Sequence, residues 1–258
     1  MENLCKKVEI LARKTGEYLK NEQSKLNKND IEFKGARDYV TYIDKEAEKI
    51  LVKGLNNIFP EAGFITEENT VDFVKTEYTW IIDPLDGTTN YIHGDDTFAV
   101  SIALKREQKI VLGVVYNPIN DQMFSAYLFG NARLNSNMIK VSTHQYLKNA
   151  YIGCGIPYIL DNKGEEILRN AMNHFRTSSF RIKGSAALEI CYVAAGISDA
   201  YFHSGLSPWD VAAGAFILEC AGGKCTDFSS GNNYLFGKEL VASNGVIHDE
   251  IIKNIISV

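Results

Sequence analysis

The sequence is poor in the residues that mark special architectures. Among 258 residues there are five prolines and five cysteines, and the cysteines (Cys5, Cys154, Cys191, Cys220, Cys225) form no Cys-x-x-Cys pair. A disulfide framework or a zinc cluster is therefore not expected, and four of the thiols lie in apolar or helical surroundings that suit a small buried side chain. Five scattered histidines lack His-x-x-x-His spacing, which removes the usual imidazole metal site. Positive charge is also in deficit: 27 Lys and Arg against 32 Asp and Glu give a net charge of −5, so no global basic field exists to neutralise nucleic-acid phosphates. No apolar stretch approaches the roughly 20 residues of a membrane helix. The opening Met-Glu-Asn-Leu-Cys-Lys-Lys lacks the apolar core of a signal peptide. These absences predict a cytoplasmic chain with no membrane and no nucleic-acid partner. Repeats and Pro- or Gly-rich linkers are missing too, so residues 1–258 read as a single unit. Its best internal boundary, Ser136 to Asn149, separates an N-terminal half (1–140) from a C-terminal half (141–258).

What is present is an ordinary globular balance, 45% hydrophobic and 23% charged. Leu4, Val8, Leu11, Thr15 and Leu19 are spaced as one buried helical face, as are Ile43, Ala47, Ile50 and Leu55 up to Phe59-Pro60. Trp80-Ile-Ile predicts a short buried strand that stops at Asp83-Pro84. Phe98–Lys105, Lys109–Tyr116 and Gln122–Leu128 predict a meander of strands. Gly184–Ala195 turns helical, Ile197–Phe202 suits a strand, and Ser207-Pro208 opens a helix that Gly222-Gly223 closes. A strand at Leu240–Ser243 and a helix over Asp249–Val258 complete the pattern. Helices and strands in blocks, without strict alternation, imply a mixed α and β fold in layers.

The chemistry concentrates in Trp80-Ile-Ile-Asp83-Pro-Leu85-Asp86-Gly-Thr88-Thr89-Asn90. Two carboxylates three residues apart, beside a Gly-Thr-Thr turn, can gather four carboxylate oxygens and a main-chain carbonyl around hard cations such as Mg²⁺. Taken alone, Asp-x-x-Asp is more simply a strand end and an ordinary turn. By itself Asp210 favours a helix N-terminus three residues after Ser207, and Asp44 and Glu67-Glu68 read as solvated charges.

The whole segment, however, resembles the metal-binding signature W-I-I-D-P-I/L-D-G-T-T-N of the inositol monophosphatase family, within the magnesium-dependent, lithium-inhibited phosphomonoesterases. Other blocks follow in family order. Asp38-Tyr-Val-Thr41-Tyr-Ile-Asp44 resembles D-x-V-T-x-x-D, and Phe64-Ile-Thr-Glu67-Glu68 resembles F-I/V-x-E-E. Gly184-Ser185-Ala186-Ala187 resembles G-S/T-A-A, and Trp209-Asp210-Val-Ala-Ala-Gly214 resembles the second signature. The resemblance implies a layered α-β-α-β-α sandwich, usually as a homodimer. It implies that Glu67, Asp83 and the Leu85 carbonyl bind an activating ion, and that Asp83, Asp86 and Asp210 bind a second. A third, weaker ion would use Glu67. Thr88, with Asp44 behind it, would orient and help deprotonate the metal-activated water that attacks phosphorus. Gly87, Thr88 and Thr89 would offer N–H groups to the phosphate, with Asp86, Gly184, Ser185, Ala186, His203 and Asp210 also touching substrate.

Asn90 after Gly-Thr-Thr resembles the inositol and fructose-bisphosphate branch of that group more than the nucleotide phosphatases. His203 departs from the family, where a Glu that binds sugar hydroxyls usually stands seven residues before Asp210. Gly94-Asp95-Asp96-Thr97 is more polar than the usual segment, and the loop at Lys34-Gly35 is a residue shorter than in animal members. Four functions stay open at this level. The leading one is hydrolysis of inositol 1-phosphate, followed by fructose 1,6-bisphosphate or another sugar phosphate. The others are 3′-phosphoadenosine 5′-phosphate, with Tyr158 and Trp209 as available aromatics, and a binding or regulatory role without catalysis. His93 is expected on the rim, and Arg176, Arg181 and Lys183 form a small basic cluster.

Overall fold

Helix α1 (Glu2–Gln23) buries Cys5, Val8, Leu11, Ala12, Thr15 and Leu19 in one stripe, the face its spacing predicts. Helix α2 (Tyr42–Ile58) does the same with Ile43, Ala47, Leu51 and Leu55, but also buries two acids, Asp44 and Glu48, on that face. The computed structural model describes residues 1–26, 31–35, 38–156, 162–173 and 178–256. Between the two helices, β1 (Ile31–Gly35) and β2 (Asp38–Thr41) pair as an antiparallel ribbon.

The first large sheet takes its strands in chain order: β3 (Gly63–Thr66), β4 (Tyr78–Asp86), β5 (Ala99–Arg106), β6 (Lys109–Asn117), β7 (Gln122–Tyr127), β8 (Arg133–Leu134) and β9 (Asn137–Met138). Only β3 and β4 are parallel; the rest is an antiparallel meander. A short helix α3 (Thr88–His93) leaves the end of β4. The second sheet holds β10 (Tyr151–Cys154), β11 (Ser179–Arg181), β12 (Ala200–Ser204), β13 (Lys224–Thr226) and β14 (Glu239–Ser243) in the order β11-β10-β12-β14-β13. Here β10 runs parallel to β11 and β12. The remaining helices are α4 (Asn162–Asn173), α5 (Ala186–Ala194), α6 (Pro208–Cys220) and α7 (His248–Ile251), the last continued by a π turn over Ile252–Ile256.

Side-chain alternation sorts these elements into layers. Trp80 and Ile82 of β4, with Ile102 and Leu104 of β5, face α1 and α2. Ile81, Ala99 and Ala103 face the other way, onto α5 and α6. The same central helices meet Tyr201, Leu240 and Ala242 of the second sheet. Beyond it, Ile152, Phe202 and Val241 pack on Ile167 and Ala171 of α4 and on Ile251 of α7. The order is therefore α-β-α-β-α, the layered sandwich expected. Its central helices explain their own composition: all of Ala186–Ala194 is buried, as a helix between two sheets must be.

Several expectations need adjustment. The strand predicted to stop at Asp83-Pro84 continues to Asp86, because an irregularity in pairing absorbs the proline. The strand expected from Ile197 begins at Ala200, and the closing helix starts at His248 and widens at Ile252. Residues 257–258, Tyr158 and Arg176 lie outside the described residues, as does the loop at 36–37 that follows Lys34-Gly35. Strands β1, β2, β3, β10, β11 and β13 and helix α4 carried no recognised signal; the strands are five residues or shorter. All five cysteines are free thiols and four are buried. Among the described residues no helix is long and apolar enough to cross a membrane.

Candidate active site

In a regular strand, residues three apart point to opposite faces, so Asp83 and Asp86 should diverge. They do not, because β4 is bulged: Asp83 pairs with Ser101 and Asp86 with Ala99, so three steps on β4 match two on β5. Pro84 fits there since a bulge leaves one N–H without a ladder partner. Asp83 Oδ1 accepts the Leu85 N–H at 2.8 Å, which fixes its rotamer. Asp86 is held from the second half of the chain. Ser185 Oγ donates to its Oδ2 at 2.5 Å, and the Ala187 N–H donates to the same oxygen at 2.8 Å. The Ala186 N–H reaches Oδ1 at 3.3 Å, so the carboxylate sits on the N-terminus of α5, where helix N–H groups favour negative charge. Asp210, in the first turn of α6, completes the group. One oxygen from each of Asp83, Asp86 and Asp210 lies within 4.8 Å of the others.

Three acids this close, almost out of water, repel their own ionisation. Burial pushes the Asp83 carboxyl well above its usual range, reinforced by the negative Glu67, Asp86 and Asp210 around it. Burial raises Asp86 to about 6 against the bonds from Ser185, Ala187 and Ala186. Asp210 rises to about 7 through burial and the nearby Asp86, against the Ser207 N–H bond and a hydrogen bond with Asp83. Among the described residues no Lys or Arg forms an ion pair with these three. An all-oxygen donor set of this charge, with Glu67 and the Leu85 carbonyl at its border, fits a hard divalent cation.

Beside the acids, Gly87 adopts φ +95° and opens α3; a side chain there would press to 2.9 Å from the Thr97 carbonyl. Thr88 begins the helix, with its hydroxyl 3.2 Å from Asp44 Oδ1 and 3.1 Å from the Leu85 carbonyl. The acids, Gly87 and Thr88 border a cleft of about 290 Å³ between the end of β4, the starts of α3, α5 and α6, and the ends of β10 and β12.

A family model described as the inositol monophosphatase family matches residues 1–257. The chain belongs to the inositol monophosphatase family. It is 39% identical over 246 residues to an inositol-1-monophosphatase of Mesorhizobium japonicum, covering 94% of this chain and 92% of that one. It is 38% identical to a Nus factor SuhB of Vibrio cholerae, covering 90% and 88%. The crystal structure of an extragenic suppressor protein suhB from Bartonella henselae superimposes with a TM-score of 0.92 at 36% identity, covering 98% of both chains. Membership in the inositol monophosphatase family supports a phosphatase.

Of the residues that the family signature singles out, Glu67, Asp83, Leu85, Asp86, Gly87, Thr88, Thr89, Gly184, Ala186, His203 and Asp210 all border the cleft. Ser185 and Asp44 do not; each stands behind a bordering residue, Ser185 bonded to Asp86 and Asp44 beside Thr88. Asp210 also satisfies its simpler reading, since its Oδ2 accepts the Ser207 N–H at 2.7 Å and caps α6. His203 Nδ1 lies 2.8 Å from the Tyr201 hydroxyl, and burial lowers the imidazole to about 4, so it is neutral near pH 7. Sequence reasoning gave no role to three further residues. Asn90 Nδ2 donates to the carbonyls of Thr97 and Lys183 at 2.7 and 2.6 Å, tying α3 to the strand before Gly184. Glu48 accepts the N–H groups of Glu68 and Thr70 and thereby fixes the segment beside Glu67. Glu189 lines the cleft from α5. The latter two were legible as acids on helix faces that are otherwise apolar.

Proposed function

We propose that this chain is a Mg²⁺-dependent phosphomonoesterase that hydrolyses inositol 1-phosphate to inositol and phosphate. The observation that carries this reading is the close group of Asp83, Asp86 and Asp210, the first two buried, next to the Thr88 and Asp44 pair. In it, Glu67, Asp83 and the Leu85 carbonyl would hold one ion and Asp83, Asp86 and Asp210 a second, and Glu67 would serve a weaker third. Bound there, the ions supply positive charge for the phosphoryl oxygens and lower the cost of forming hydroxide. The protein's own groups then do the orienting. A threonine hydroxyl has one proton, and both neighbours of Thr88 Oγ1 at hydrogen-bond distance, Asp44 Oδ1 and the Leu85 carbonyl, are acceptors. Its lone pairs are left to accept a proton from the attacking water, while Asp44 Oδ1 receives the proton that Oγ1 gives up. The new P–O bond forms as the bond to the inositol oxygen breaks, and that oxygen takes a proton from solvent. The first N–H groups of α3, at Thr88 and Thr89, have no partner within the helix and serve the phosphate, with Gly87 allowing close approach. The neutral His203 also borders the cleft.

The reading includes a homodimer and inhibition by lithium, both drawn from the family resemblance, and a cytoplasmic location, drawn from the absence of a signal-peptide core or membrane stretch in the sequence. Its test is phosphate release from inositol 1-phosphate, fructose 1,6-bisphosphate and 3′-phosphoadenosine 5′-phosphate, with and without Mg²⁺. A lead of about tenfold in kcat/KM for inositol 1-phosphate, lost without Mg²⁺ and in Asp83→Asn, is expected. A lead for either other substrate replaces the inositol assignment, and no Mg²⁺-dependent release from any of them overturns the phosphatase reading. The similarity to proteins named Nus factor favours a second, regulatory role beside catalysis. Retention of the cellular role by Asp83→Asn would support it.

A further inference from the structure

One carboxylate that borders the cleft is used by neither the metal group nor the Thr88 pair. Glu189, in the first turn of α5, is only 2% exposed, yet it borders the cavity. Its Oε1 accepts the Lys183 N–H at 2.9 Å. Among the described residues no hydrogen bond reaches Oε2, and no Lys or Arg pairs with the carboxylate. Lys183, whose N–H donates to the carboxylate, turns its ammonium onto the Tyr192 ring 4.3 Å from the centroid.

The neighbouring strand gives way to this side chain. A Cβ at Gly153 would collide with Glu189 Oε2, and a Cβ at Gly155 would collide with the ring of His203, so β10 and the residue after it are bare where these two groups stand. Tyr201 and His203, two apart on β12, share a face and are joined through the phenol and Nδ1. Glu189 and the neutral His203 thus border the same cavity, with the bare backbone of Gly153 and Gly155 against them. A carboxylate oxygen that borders a cavity takes its donor from whatever fills that cavity. Water or a substrate hydroxyl can supply one; a second phosphate cannot.

We propose that Glu189 Oε2 accepts a hydrogen bond from a hydroxyl of the leaving alcohol, and that its charge selects an uncharged polyol over a leaving group bearing a second phosphate. This rests on the phosphomonoesterase reading above. Burial pushes the Glu189 carboxyl up to about 7, so the test belongs at pH 8, where the group is ionised. The Mg²⁺-loaded protein and its Glu189→Gln and Glu189→Ala variants are assayed on inositol 1-phosphate, fructose 1,6-bisphosphate and phenyl phosphate, whose leaving group brings no further hydroxyl.

For Glu189→Gln, which keeps the shape and an oxygen for the Lys183 N–H, kcat/KM for inositol 1-phosphate should fall about tenfold relative to phenyl phosphate, mainly through KM. The ratio of fructose 1,6-bisphosphate to inositol 1-phosphate should rise by a similar factor. Glu189→Ala, checked for folding by its melting temperature, should shift both ratios in the same direction. Equal losses on all three substrates would make Glu189 structural and overturn the inference, as would unchanged ratios. If the unmodified protein releases phosphate from none of them, the phosphomonoesterase reading falls and this inference with it.

Discussion

Thr88 has one proton and two acceptors within reach, and that imbalance is its usefulness. Alanine there removes the lone pairs that face water while leaving the acidic group intact. Thr88→Ala should lower kcat by about 10²- to 10⁴-fold, the range for a lost proton-transfer group, with Mg²⁺ binding retained. Thr88→Ser should recover most of it, and steady-state kinetics of the two variants separate a hydroxyl effect from a packing effect. Asp210 teaches a related point. Its sequence position by itself reads as a helix cap and by the family resemblance as a ligand, and the carboxylate does the first with Oδ2 while lying within reach of Asp83 and Asp86. The two readings compete on paper but not in space, because a carboxylate has two oxygens.

At the scale of elements, support for the site comes from residues that touch nothing in the cleft. Glu48 of α2 accepts the Glu68 N–H at 2.7 Å and the Thr70 N–H at 2.8 Å, so one helix sets the course of the segment after β3. Glu48→Gln keeps the shape but weakens charge-assisted bonds. The Mg²⁺ concentration for half-maximal activity should rise severalfold, up to the roughly 10- to 100-fold typical of lost outer-shell support, while kcat at saturating Mg²⁺ changes less. A purely structural role would lower the melting temperature without moving that concentration.

A second case lies far from the site. His248 at the start of α7 is buried between the hydroxyls of Thr226 on β13 and Ser243 on β14, 2.9 and 2.8 Å from its ring nitrogens. Burial lowers it to about 4 from an ordinary 6.5, helped by Lys224. A group depressed by folding stabilises the native state above its unfolded value and loses that stability as pH falls through the folded one. Between pH 6.5 and 4 this histidine should therefore cost the fold about 3 kcal/mol, and denaturation of His248→Asn across that window should show a shallower pH dependence.

For the whole molecule, the balance runs the other way in the group of Asp83, Asp86 and Asp210. Asp86 and Asp210 titrate near 6 and 7, above the ordinary 3.8, so in the metal-free chain the stability they allow is fully present at low pH and is lost as pH rises through those values. A bound cation replaces the protons. Mg²⁺ at about 100 times its dissociation constant should add about 2.7 kcal/mol, or roughly 5 °C or more in melting temperature at pH 8. That gain should shrink as pH falls through about 7 and about 6, as protons compete for the same oxygens. A Mg²⁺ shift that is flat with pH would mean that the ion binds elsewhere.

The sequence by itself determined the elements that bury a regular stripe, such as α1 and α2, the meander of β5 to β7, and the capped start of α6 at Ser207-Pro208. It also determined the family, because an eleven-residue signature from Trp80 to Asn90 is local information. Only the tertiary structure decided that Asp83 and Asp86 face one way, since this depends on how β5 pairs across the bulge. It alone gave Ser185 to Asp86, because a bond between residues 99 apart in the chain leaves no trace in local spacing. Glu48 and Glu189 were visible as acids among apolar neighbours. What each acid serves is fixed by the layer packed against its helix, and burial and pairing arise only when the layers close.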